Sequence, residues 1–174
     1  MRSIFSAILL GMLFALDLGA EAAEWSSKEA GVCLQLPTDP EWTQIKADME
    51  GLARVIFQRQ DKMALVQFTF FANYPAAQKL DEPYVQLWEK RHYSNHDDKK
   101  VSGEFTTFKG RRAYRVCDQP KIEGQKCRSI TMLWLSDDGR LCSIFATRYQ
   151  GDPLEDPVIK SFVDSLTFLP GTSK

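Results

Sequence analysis

The sequence predicts an α+β fold, in which two amphipathic helices pack on an antiparallel sheet. Stretches rich in β-branched and aromatic residues follow one another across short polar turns, a pattern typical of adjacent antiparallel strands. Two other segments open with Asp and Pro, as in Asp81-Glu82-Pro83 and Asp156-Pro157, and then carry apolar residues at helical spacing. Because an amphipathic helix must bury its apolar stripe, both helices are expected to lie against the sheet.

Strand patterns occupy most of the chain between residues 32 and 149. The strongest is 64–72, which is predicted to form a hairpin with 53–60 across the turn at Asp61-Lys62. We expect Phe68, Phe70, Trp134 and Ile144 at the layer between the sheet and the helices. In chain order, the predicted strands cover 32–37, 42–45, 53–60, 64–72, 104–109, 111–117, 130–135 and 140–149.

Both predicted helices have clear start signals. The first begins after Asp81, its N-cap, carries Val85, Trp88 and His92 at helical spacing, and ends near Asn95. The second begins after the N-cap Asp156 and ends at Pro170-Gly171. Its apolar residues recur at i, i+3, i+4 and i+7, and are Ile159, Phe162, Val163 and Leu166.

The charge of the chain is nearly balanced. Its 174 residues contain 22 Lys and Arg against 23 Asp and Glu, a formal net charge of −1. A protein that binds nucleic acid electrostatically needs a basic excess to neutralise phosphates, so we expect no nucleic-acid partner. The length fits one globular domain.

The N-terminal segment has the pattern of a secretory signal peptide. Arg2 supplies a positive charge, an apolar run extends from Ile4 to Leu18, and Ala20-Glu21-Ala22 is an A-x-A cleavage site. The apolar run is too short for a spanning helix, which needs roughly 20 residues. We therefore predict a signal peptide at 1–22, a single globular domain at 23–174, and a periplasmic or secreted protein without a transmembrane segment after cleavage.

Four cysteines remain after that cleavage, and in an oxidising compartment an even number predicts disulfides. Cys117 and Cys127 flank a polar loop between two strands, so we expect them to pair across the mouth of a long hairpin. The pair Cys33–Cys142 then follows by subtraction from the three possible connectivities. A zinc site would favour a C-x2–4-C spacing, which these cysteines lack.

The two histidines of the chain, His92 and His96, are candidate metal ligands. Their i, i+4 spacing places both rings on one helix face, which is metal-ligand spacing. The residues between them lack the Glu of a zinc protease. The alternative is that these histidines lie in solvent in the last turn of the helix, where the helix dipole favours positive charge.

No constellation of catalytic residues is found in the sequence. There is no G-x-S-x-G nucleophile motif and no Gly-rich phosphate loop, and disulfide formation would leave no free thiol. Asp137-Asp138 lie in a D-D-G sequence typical of a turn. These observations favour a non-enzymatic protein without a cofactor, and they leave the question open, because a metal-dependent hydrolase built on His92 and His96 stays an alternative.

Three short motifs carry a resemblance to a known family. A strand runs into Pro and then Trp, a Gly-x-x-Ala turn leads into another strand, and the last helix has Ser-Phe and Ser-Leu steps. These motifs are Leu34-Gln35-Leu36-Pro37 with Trp42, Gly110-Arg111-Arg112-Ala113, Ser161-Phe162 and Ser165-Leu166. With this element order, the mature chain resembles the PsbP/DcrB-like superfamily. The resemblance implies an α/β/α sandwich and a non-catalytic accessory or assembly role.

Three functional hypotheses follow from the sequence. The first is an exported, non-enzymatic binding or accessory protein of the cell envelope, stabilised by two disulfides and engaging a protein partner. The second is a small metal-binding protein or metal-dependent hydrolase that uses His92 and His96. The third is a secreted inhibitor that presents the Cys117–Cys127 loop as a rigid element, because a stapled loop loses little entropy on binding.

Overall fold

A computed structural model describes residues 23–45, 52–94, 99–122 and 124–170, so the predicted signal peptide lies outside the described residues. The helices of the described part are α1 (Glu82–Tyr93), α2 (Pro157–Ser165) and a single 3-10 turn at Pro153–Glu155. Its strands are β1 (Glu24–Ser27), β2 (Val32–Gln35), β3 (Trp42–Ile45), β4 (Leu52–Arg59), β5 (Ala64–Phe71), β6 (Lys99–Phe108), β7 (Arg111–Gln119), β8 (Lys121–Ile122), β9 (Gln125–Lys126), β10 (Arg128–Leu135), β11 (Leu141–Arg148) and β12 (Thr167–Phe168).

The centre of the fold is an antiparallel sheet with the strand order β3-β4-β5-β11-β10-β7-β6. Three neighbouring pairs are hairpins joined by short turns, as the sequence predicts: β4–β5, β6–β7 and β10–β11. Strand β7 pairs with β10 across the segment that contains β8 and β9. Strand β5 pairs over a much longer range with β11, from Ala64↔Arg148 to Phe71↔Leu141. This long-range pairing joins the two halves of the sheet and confirms the predicted α+β class.

One face of this sheet carries the larger part of the core. Helix α2 and a small sheet with the order β1-β2-β12 pack on it and bury the larger core cluster of the protein. Phe68, Phe70, Trp134 and Ile144 belong to this cluster, so their predicted position at the sheet–helix layer is confirmed. Trp134 is fully buried among the rings of Phe68 and Phe108.

The other face is covered only in part, by α1. The buried side chains of this helix, Tyr84, Val85 and Trp88, form a second core cluster with residues of β7, β10 and β11. Two polar contacts, from Lys100 to Glu89 and from Tyr93 to Asp118, fasten the same side of the helix to β6 and β7. Within the described residues, no helix extends over the neighbouring face of β4 and β5, which we call the open face of the sheet.

Several predicted boundaries differ from the structure. Strand β6 begins at Lys99 rather than residue 104, and α2 ends at Ser165 rather than at Pro170-Gly171. The chain leaves α2 at Leu166 and enters β12, a strand of two residues that pairs with β2. Strand β12 has only two residues, and β1 carries a single apolar residue, Trp25, so neither shows the apolar pattern that predicts a strand.

Candidate functional site

A cleft lies between α1 and the open face of the central sheet. Its volume is about 430 Å³, within the range of small-molecule binding sites. Aromatic residues, two arginines and a few uncharged polar groups line it. These residues are Arg54, Gln67, Phe71, Tyr74, Trp88, Arg91, His92, Thr131, Ser143 and Phe145.

Strand register builds the floor of the cleft. Side chains of directly paired residues in neighbouring antiparallel strands point to the same face of a sheet, so each pairing places two side chains side by side. Read across β4, β5, β11 and β10, the two rows of the floor are Arg54–Thr69–Ser143–Leu133 and Ile56–Gln67–Phe145–Thr131. Two hairpins that are far apart in the sequence, β4–β5 and β10–β11, therefore contribute to one surface.

Helix α1 supplies one wall of the cleft. Asp81 caps the helix by accepting a hydrogen bond from the backbone N–H of Tyr84. Trp88 lies on the buried side, and one turn later His92 stacks on its ring with 4.7 Å between the ring centroids. Arg91 extends over the ring of Tyr74, with its guanidinium carbon 4.9 Å from the ring centroid. The helix thus presents aromatic and cationic groups toward the cleft.

The loop that carries Tyr74 is held in place by hydrogen bonds. The hydroxyl of Tyr84 donates to the carbonyl of Pro75 at 2.9 Å, and burial raises the pKa of this hydroxyl to about 12. The backbone N–H of Ala77 donates to the carbonyl of Gly139 at 2.8 Å. Gly139 has a φ of +80°, and a Cβ there would lie 2.4 Å from the carbonyl oxygen of Ala77. The close approach of Ala77 to Gly139 therefore fixes the position of the loop that carries Tyr74.

The lining of the cleft carries positive charge. It includes two arginines, Arg54 and Arg91, together with His92, and none of its described residues is a carboxylate. Glu89 of α1 contacts Lys100, Asp118 of β7 contacts Tyr93, and neither carboxylate is among the described lining residues. Charges in a concave site with low-dielectric walls raise the local concentration of ions of opposite sign.

Two threonine hydroxyls of the floor are buried without a hydrogen-bond partner in the described part of the protein. Thr131, which lines the cleft, is 3% exposed, and Thr69 is fully buried in the neighbouring row. A buried polar group that stays unsatisfied costs about 1–3 kcal/mol, so native proteins usually pair it with a protein group, an ordered water or a ligand. The hydroxyl of Thr131 is therefore a candidate contact for a bound molecule.

The structure places only one of the two predicted metal ligands. His92 lines the cleft and stacks on Trp88, whereas His96 lies outside the described residues. Among the residues that are described, no group of three or more His, Cys, Asp or Glu side chains could hold a metal ion. Because His96 and the two aspartates that follow it lie outside the described residues, the metal hypothesis stays a prediction.

The cysteines differ from the prediction. The structure contains no disulfide among its described residues, so neither Cys117–Cys127 nor Cys33–Cys142 is formed in it. Cys33 alternates along β2 with core residues and lies beside Glu24 and Thr167, whereas Cys142 belongs to the core cluster. Register places Cys117 opposite Ile130, three residues beyond Cys127.

The Cys117–Cys127 loop folds back on itself as the two-stranded hairpin β8–β9. Cys117 lines a second, smaller cavity of about 240 Å³, together with Asp118, Arg128 and Asp152. Because this loop has no disulfide across its base, the inhibitor hypothesis loses the rigidity on which it depended.

We predict that the Cys142 thiol is unreactive in the folded protein. It is fully buried, and this burial raises its pKa from 9.0 to about 12, so almost no reactive thiolate forms at mildly alkaline pH. After reduction, iodoacetamide should label the half-buried Cys117 in the native protein and Cys142 only in urea, as read by peptide mapping. Equal labelling rates for the two thiols under native conditions would show that this core is not packed as described.

Most residues that line the cleft were not predicted from the sequence. Gln67, Thr131 and Ser143 are polar residues within strongly apolar strands, and this interruption is a signal visible in the sequence. A sequence alone does not show that these strands are neighbours, so it could not bring the three side chains together with Arg54 and Arg91.

No protein-family model and no curated protein matches this chain. Among solved structures, the solution structure of cyanobacterial PsbP (CyanoP) from Synechocystis aligns with a TM-score of 0.60 and 11% identity, covering 91% of this chain and 98% of that one. A crystal structure of a protein from Bacteroides thetaiotaomicron aligns with a TM-score of 0.58 and 14% identity, covering 88% of this chain but only 50% of the other.

The protein has a PsbP-like α+β fold. The element order and the position of one helix on each face of the sheet agree with the α/β/α sandwich that the family resemblance implies. Identities of 11% and 14% support the fold alone. The function must therefore be argued from the cleft of this chain.

Proposed function

We propose that the protein is an exported, non-enzymatic binding protein of the cell envelope, and that the cleft between α1 and the sheet is its binding site. The shape and lining of the cleft carry this proposal: aromatic walls surround a floor with a few convergent polar groups, as in typical small-ligand sites. The hydrogen bonds that hold the Tyr74 loop support a site formed before the ligand arrives.

The signal pattern at 1–22 supports export of the globular domain. Within the described residues, no helix is both long and apolar enough to cross a membrane. In this proposal the protein also contacts a protein partner in the envelope, and the small molecule bound in the cleft regulates that contact.

The proposal is tested by titrating the mature domain with anilinonaphthalene sulfonate, a fluorescent probe with an aromatic body. We expect saturable binding that weakens about tenfold or more in Gln67→Trp, because the new ring would fill the centre of the floor. The matched control is Gln58→Trp, which changes the same residue type on the same sheet face but outside the cleft lining.

Circular dichroism and thermal unfolding establish that both variants are folded before the titrations are compared. We expect Gln58→Trp to bind the probe within about twofold of the wild-type protein. The proposal is refuted if the folded wild-type protein shows no saturable binding, or if Gln67→Trp binds as well as Gln58→Trp.

A further inference from the structure

We propose that the ligand of the cleft is an amphipathic organic anion, in which an apolar body carries one carboxylate, sulfonate or phosphate group. This inference rests on the proposed function and names the chemical class that the cleft would accept. Two sets of contacts carry it: the cationic groups at the helix side and the aromatic groups of the walls.

Arg91 is the main candidate for binding the acidic group. Its side chain is exposed, lines the cleft and packs over the ring of Tyr74, which restricts its conformations before a ligand binds. A guanidinium can pack its face on a ring and still donate hydrogen bonds from its edge, and its fork of N–H groups matches the oxygens of a carboxylate or phosphate.

Arg54 adds a second positive charge from the sheet. It starts the floor row that continues to Thr69 and Ser143, so its guanidinium approaches the cleft from β4, and Arg91 approaches from the helix. The described lining residues include these two guanidinium groups and no carboxylate. An anion would be bound from two sides.

The apolar body of the ligand would lie against aromatic side chains. Phe145 lies in the floor, and Trp88, Phe71 and Tyr74 form the walls. Phe71 and Tyr74 contact each other edge to face, with ring centroids 5.7 Å apart, so this wall is already packed. A simple inorganic anion would leave these surfaces in contact with water, whereas an amphipathic anion would bury them.

Uncharged polar groups would orient the bound molecule. Gln67 and Thr131 flank Phe145 in one floor row, and the buried hydroxyl of Thr131 has no hydrogen-bond partner in the described protein. A ligand oxygen or N–H group next to the aromatic body would satisfy it. This arrangement favours a ligand with a polar substituent on its apolar part.

The class is tested with two probes that share one skeleton. Anilinonaphthalene sulfonate carries an acidic group, and N-phenylnaphthylamine is the same ring system without it. We expect the full-length mature domain to bind the sulfonate probe about tenfold more tightly than the neutral one. In Arg91→Gln, affinity for the sulfonate probe should fall about tenfold, while affinity for the neutral probe stays within about twofold.

The matched control is Lys90→Gln, which removes one positive charge from the same helix turn at an exposed residue outside the cleft lining. We expect it to leave both affinities within about twofold of wild type. If both probes bind equally and Arg91→Gln has no effect, whereas Gln67→Trp still weakens both, the cleft is a binding site but the anion assignment is wrong. If neither probe binds the folded protein, the proposed function itself fails, and this inference fails with it.

Discussion

Replacing Trp134 by alanine is expected to lower the free energy of unfolding by about 3–5 kcal/mol, the range typical of deleting a buried aromatic side chain. Trp134 is fully buried on β10, and its ring contacts Phe68, Phe108 and Phe168 at centroid distances of 6.0, 5.2 and 6.1 Å. It therefore connects the central sheet with the small β1-β2-β12 sheet. Deletion would leave a cavity that three surrounding elements cannot close.

Urea denaturation of the wild-type and variant domains measures this loss. The control is Trp134→Phe, which keeps an aromatic ring at the same place. The indole N–H of Trp134 is buried without a hydrogen-bond partner in the described structure, so the Phe variant removes an unsatisfied donor together with some volume. We expect it to lose far less stability than the Ala variant. A loss below about 1 kcal/mol for Trp134→Ala would contradict this account of the core.

Replacing Asp156 by alanine is expected to cost about 2–3 kcal/mol, because two interactions disappear together. Asp156 is the N-cap of α2 and accepts hydrogen bonds from the backbone N–H groups of Val158 and Ile159. Its other carboxylate oxygen lies 3.5 Å from the guanidinium of Arg59, and the residue is 5% exposed. Loss of the cap would loosen the helix that covers the larger core.

Two further variants separate the contributions to this loss. Asp156→Asn keeps a side-chain acceptor for the cap and removes the charge, so it should retain more than half of the stability that Asp156→Ala loses. Asp81→Ala removes the single capping bond of α1 at a much more exposed residue, and about 1 kcal/mol or less is expected. Urea denaturation would contradict this assignment if Asp81→Ala were as destabilising as Asp156→Ala.

Local sequence patterns were sufficient to predict most of the fold. The helix starts at Asp81 and Asp156 have short-range causes, because an N-cap and a Pro in the first turn act within three or four residues. Hairpins such as β4–β5 likewise join strands across a few residues. The end of α2 was predicted too late because its apolar stripe continues through Leu166 into β12.

The candidate site could not be predicted in the same way, because it depends on the long-range pairing of β5 with β11. This pairing places Gln67 next to Phe145, and it places Thr69 next to Ser143. Neither contact leaves a periodic signal in the sequence. The predicted cysteine pairs are not formed in the structure for a similar reason. The number and spacing of cysteines do not reveal which face of a strand each thiol occupies.

The most direct test of the central claim is a crystal structure of the domain with anilinonaphthalene sulfonate bound. The account predicts that the probe lies between α1 and the open face of the sheet, with its rings against Trp88 and Phe145. Its sulfonate should lie within hydrogen-bond distance of the Arg91 or Arg54 guanidinium. A probe bound elsewhere, such as in the smaller cavity beside Cys117, with the cleft between α1 and the sheet empty, would contradict the account.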